Sequence, residues 1–108
     1  MSRLAALALG LAALAGCARA LPPLATPADA QRANLDLASL QEGRTLLIRK
    51  CGSCHRAPLP GEHAATAWPS KLDEMSARAS LDPFQRRSIE QYLVVMASAP
   101  PAPPAPRL

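Results

Sequence analysis

Apolar side chains recur at helical spacing in three stretches of this chain, and no stretch reads convincingly as a strand. In the first, Leu40, Gly43/Arg44, Leu47 and Cys51 share one face, with Asp36 placed as N-cap and Leu35 and Leu40 as a hydrophobic staple. The second is predicted over about 66–79, where Trp68, Leu72, Met75 and Ala79 are spaced four, three and four apart. Pro69 is tolerated there because it falls in the first turn, whose N–H groups have no intrahelical partner. The third starts at Asp82 as N-cap, with Pro83 at the first helical position and Gln85 three residues past the cap. Ile89, Tyr92, Leu93 and Met96 form its stripe, and it ends before Pro100. The pattern is all-α.

The first helix runs straight into Cys51-Gly52-Ser53-Cys54-His55. Two thiols two residues apart, followed directly by an imidazole, read as a site for covalent attachment of one c-type haem. Cys51 and Cys54 would form the thioethers, and His55 would be the proximal iron ligand. A C-x-x-C pair also serves zinc binding or thiol redox chemistry, so the motif alone leaves those open.

A third cysteine adds a compartment. Met1-Ser2-Arg3 precedes an apolar run from Leu4 to Ala15 that is too short to span a bilayer comfortably, and the segment closes Leu14-Ala15-Gly16-Cys17. This looks like the lipobox of bacterial lipoproteins. The resemblance implies cleavage before Cys17, lipidation of its sulfur and acylation of its new amine, an arrangement of several chains that anchors stably. Ala18, rather than Asp, follows the anchor and resembles sorting to an outer membrane. The expected location is the periplasmic side of a bacterial membrane, where haem attachment to such a motif also takes place.

Charge and composition then divide the chain. Arg3 is the one charged residue of 1–16, so the remainder holds 11 basic against 8 acidic residues, a formal +3. Two haem propionates would bring this to about +1, so the basic balance says little about partners. There is no basic run and only one Trp, one Tyr and one Phe, which disfavours nucleic acid. The expected organisation is a signal peptide over 1–16, an extended Ala/Pro-rich tether over 17–34, one domain over 35–98 and a Pro-rich, disordered or polyproline II tail over 99–108. A 64-residue domain so poor in aromatics is marginal by itself, and a buried haem would supply apolar volume and a covalent staple.

A helix, C-x-x-C-H, a loop, a short helix and a C-terminal amphipathic helix together resemble a small monohaem cytochrome c domain over 35–98. The resemblance implies a cytochrome c-like fold of three main helices wrapped around the haem. It also implies a crossing of the first and last helices in which Gly43 meets Tyr92. Trp68-Pro69 with Leu72 and Met75 resembles the "W-P-x-x-L-x-x-M" pattern of a compact subgroup whose Met is the distal ligand, although only 20 residues separate His55 from Met75. Met75 is accordingly the distal candidate. His63, in a Pro/Gly-rich loop, and Met96, at core spacing in the last helix, are weighed beside it. Trp68 reads as packing against the porphyrin edge, with its N–H near a propionate, or as a core residue. Arg44, Arg49, Arg56 and Lys71 are candidates for pairing with propionates or an acidic partner, or simply solvated.

The function implied is single-electron transfer between periplasmic or membrane redox partners, with no substrate of its own and no enzyme activity. Two other classes stay in view. A haem sensor or peroxidase-like protein needs an open distal site, and a thiol-disulfide or zinc module would use Cys51 and Cys54 directly.

Overall fold

The computed structural model describes residues 20–52 and 56–100. Among them are four α-helices and no strand: α1 (Pro27–Ala33), α2 (Leu37–Cys51), α3 (Trp68–Arg78) and α4 (Pro83–Ala97). Single 3₁₀ turns occupy Pro60–Glu62 and Ala65–Ala67. None of the described helices is long and apolar enough to cross a membrane.

The axis of the molecule is the crossing of α2 on α4. Leu40, Leu47, Ile89, Tyr92 and Leu93 are fully buried, and from α3 Trp68 and Leu72 join them. Each such side chain contributes about 1.5–3 kcal/mol when fully removed from water. Gly43 sets the closeness of the crossing. A methyl group placed there would lie 2.2 Å from the Ser88 carbonyl oxygen and 2.9 Å from Tyr92 Cβ. The Gly43–Tyr92 meeting expected from sequence is therefore present, but its tightest contact is backbone on backbone, at Ser88.

Helix starts follow local chemistry. At α4 the Asp82 carboxylate accepts from the Gln85 N–H at 2.8 Å, and the Gln85 side chain accepts from the Asp82 N–H at 3.1 Å. Asp36 occupies the N-cap position of α2 without a side-chain cap bond, while Leu35 packs on the cluster containing Leu40, as the staple requires. The start of α3 is later than expected. Pro69 has no N–H to give the Ala65 carbonyl, so residues 65–67 form a 3₁₀ turn, and Trp68 bonds back three residues to Ala65 before the α ladder begins. Between α3 and α4, Ser80 holds a φ of 53°, a left-handed conformation unusual for a residue with a Cβ.

The segment read as an extended tether departs most from expectation. Residues 27–33 are helical, and the packed structure begins near Pro22, not at residue 35. The cause is local and tertiary together. Thr26 caps α1, Pro27 starts it, and the Asp29 carboxylate accepts from the Thr26 N–H at 2.8 Å in a reciprocal capping box. Asn34, at φ 54°, then turns the chain into α2. Pro22, Ala25 and Ala30 are buried, the Arg44 Nε donates to the Pro22 carbonyl at 2.7 Å, and the Tyr92 hydroxyl donates to the Pro23 carbonyl. Arg32 reaches both Asp29 at 2.9 Å and the Val95 carbonyl at 3.0 Å. This strap ties the chain preceding α2 onto both crossing helices.

Candidate functional site

α2 delivers Cys51 as its last residue, and Gly52 follows as its C-cap, donating its N–H to the Ile48 carbonyl at 3.0 Å. Cys51 is a free thiol, half-buried and packed against the main cluster of Leu47, Ala57, Trp68, Leu72, Ile89, Tyr92 and Leu93. Burial pushes its pKa up. A nucleophilic or redox-active cysteine needs the opposite, a pKa lowered by positive charge or a helix N-terminus. Cys54 and His55, like Cys17, lie outside the described residues.

Beyond the motif, the chain folds back under α3. The Trp68 ring is completely buried, and its indole N–H donates to the Pro60 carbonyl at 3.0 Å. Its hydrogen bond is thus made within the chain, and the geometry supports the core-packing reading of this residue. One side chain thereby fixes the returning loop to the start of α3. His63 is exposed and stands edge-on to Trp68, with ring centroids 5.0 Å apart. Arg56 pairs with Glu62 across the same loop.

The two candidate methionines differ in their surroundings. Met96 is partly buried and packs against both described core clusters, the fate expected of a Met on an apolar stripe. Met75 is also half-buried, on α3 with Trp68 and Leu72, yet it belongs to neither described cluster. Of the basic candidates, Arg44 is engaged with the strap, Arg56 with Glu62, Arg49 is exposed and Lys71 is half-buried.

Of the residues that a covalently held porphyrin would use, the structure describes Cys51 and Met75, each half-buried and on a different helix. The Cys51 thiol lies at a helix end among apolar side chains, and Leu46, Ile48, Leu81 and Val94 are partly buried against the same core.

Sequence reasoning missed the residues that hold this frame. The Pro22 and Pro23 acceptors for Arg44 and Tyr92 and the Arg86 latch onto α3 are long-range, and the Pro60 acceptor for Trp68 is eight residues away. Arg86 reaches Asp73 at 2.5 Å and the Pro69 carbonyl at 3.2 Å on α3, besides Glu90 at 3.2 Å on its own helix. No protein-family model, no curated protein and no solved structure matches the chain.

Proposed function

We propose that this chain is a lipid-anchored c-type cytochrome that carries single electrons between redox partners on the periplasmic side of a bacterial membrane. In this reading the domain has a cytochrome c-like fold. Cys51 and Cys54 hold one haem through thioethers, His55 is its proximal ligand, Met75 its distal ligand, and Cys17 carries the lipid. The observation that carries the reading is that Cys51, the first residue of the C-x-x-C-H sequence, is the last residue of α2, the helix that crosses α4 through Gly43. When bound, haem supplies a one-electron Fe(III)/Fe(II) couple.

The chain's own residues set the conditions for that couple. Leu47, Leu72 and Leu93 with Trp68 build a dry, packed wall, which favours the less charged state of a redox centre beside it. The α2–α4 crossing fixes Cys51, and the Trp68–Pro60 bond fixes the start of the helix bearing Met75, so both donors stand on rigid elements.

The test is Met75→Ala against Met96→Ala in protein matured in a cytochrome c-producing host. Met75→Ala is expected to lower the reduction potential by roughly 0.1 V or more and to make the reduced protein bind carbon monoxide readily. Met96→Ala is expected to keep the spectrum and cost about 2–5 kcal/mol of stability. A parent that already binds carbon monoxide fast, with high-spin iron, would move the sensor or peroxidase-like reading ahead. Conversion of the spectrum by His63→Ala alone would assign the distal position to His63.

A further inference from the structure

The strap places two large apolar side chains where water should not be their final neighbour. Leu21 is 63% exposed and Leu24 66%, while Pro22 and Ala25 between and after them are buried. The two buried positions, 22 and 25, are three residues apart, the period of polyproline II, which Pro22 and Pro23 favour, and Leu21 and Leu24 have the same spacing. Leu21 and Leu24 therefore share the outward edge of a segment whose inward edge is fixed by Arg44 and Tyr92.

We infer that Leu21 and Leu24 dock on the lipid surface and hold the domain against the membrane with its strap side down. This rests on the lipid anchor proposed at Cys17. From Cys17 to the buried Pro22 is five residues, which span at most about 18 Å even when fully extended. The anchor thus cannot act as a long free tether, and the strap is the part of the domain that meets the bilayer first. The chain from Cys17 to Ala28 contains no carboxylate and one Arg, Arg19, so nothing on it repels an anionic headgroup. The first acid, Asp29, is buried and paired with Arg32. Apolar side chains beside an acyl anchor add a second membrane contact, the arrangement by which one weak attachment becomes an oriented one.

The experiment is photocrosslinking of the full, lipidated protein in vesicles of phosphatidylethanolamine and phosphatidylglycerol. The crosslinker p-benzoylphenylalanine replaces Leu24 in one variant and Phe84 in the other. Phe84 is also exposed, at 56%, and lies eight residues before Tyr92, whose hydroxyl holds Pro23 beside Leu24. That is about 12 Å along the helix axis. Both sites are on the surface, so neither replacement removes core packing. Lipid adducts are expected at position 24 with at least about fivefold the yield at position 84, as an oriented interfacial contact requires. Equal yields would overturn the assignment of this face. A polypeptide adduct at 24 would overturn it in favour of a second copy or another protein. No adduct at either site, with acyl mass present on Cys17, would overturn the docking and leave the anchor standing. Absence of acyl mass on Cys17 would remove both.

Discussion

The strap over 22–34 and the crossing of α2 on α4 are both built of small and aliphatic residues, yet one was invisible in the sequence and the other was not. The crossing advertises itself by periodicity: Leu40, Gly43 and Leu47 on one helix and Ile89, Tyr92 and Leu93 on the other. The strap has no such period over a long window, and its Ala/Pro content resembles a linker. What orders it is a seven-residue helix with a good cap and three hydrogen bonds from Arg32, Arg44 and Tyr92 to main-chain carbonyls. Average composition reports whether a segment can bury much surface, and it is silent on whether a neighbour will hold its backbone.

Three changes sharpen that contrast. Gly43→Ala strikes the crossing and should have the largest effect. Alanine gains about 1 kcal/mol of helix propensity over glycine. Against that, the new methyl meets a backbone carbonyl 2.2 Å away that cannot rotate aside. Overpacking costs about 1–3 kcal/mol, and an approach this close to fixed backbone falls at the upper end, so after the propensity gain a net loss of about 2 kcal/mol is expected in urea unfolding followed by circular dichroism. An unchanged midpoint would show that the two helices are not in close contact.

Tyr92→Phe tests the joint between the two regions. The hydroxyl donates to Pro23, and burial, outweighing the attraction of Arg44, pushes its pKa up to about 12. Losing this bond should cost about 1 kcal/mol at neutral pH. The pH dependence has a definite sign. A tyrosine that ionises near 10 when unfolded but about 12 when folded stabilises the fold below pH 10, and that contribution is lost as pH rises toward 12. The parent should therefore lose stability steeply across that window, and Tyr92→Phe should lose less. Parallel curves for the two proteins would mean that the hydroxyl is not buried against the strap.

Ser80→Gly touches neither region and should have the smallest effect. Relief of the left-handed backbone at φ 53° is worth about 1–2 kcal/mol, partly offset by glycine's greater unfolded-state freedom. A gain of up to about 1 kcal/mol in thermal unfolding is expected. A loss would show that the Ser80 side chain carries a contact of its own.

What could be read from sequence follows the range of the interaction that fixes it. The α4 start was legible because Asp82, Pro83 and Gln85 complete their bonds within four residues. Thr26, Pro27 and Asp29 carry the same kind of signal for α1, outweighed in reading by the prolines around them. The α3 boundary shifted by two residues because a missing N–H at Pro69 changes the bonding pattern upstream of the proline itself. At the candidate site, the residue types and their spacing were legible. The Trp68–Pro60 bond was not, since a main-chain acceptor leaves no mark on composition.

The central claim is that Cys51 and Cys54 hold a haem covalently. Its most direct test is the mass of the polypeptide purified from a cytochrome c-producing host, denatured and extracted with acidified organic solvent. The account predicts that one haem stays with the chain through extraction and that Cys51→Ala or Cys54→Ala lowers the yield of haem-bearing protein. A haem that washes out, or a polypeptide carrying no added haem mass, would contradict it.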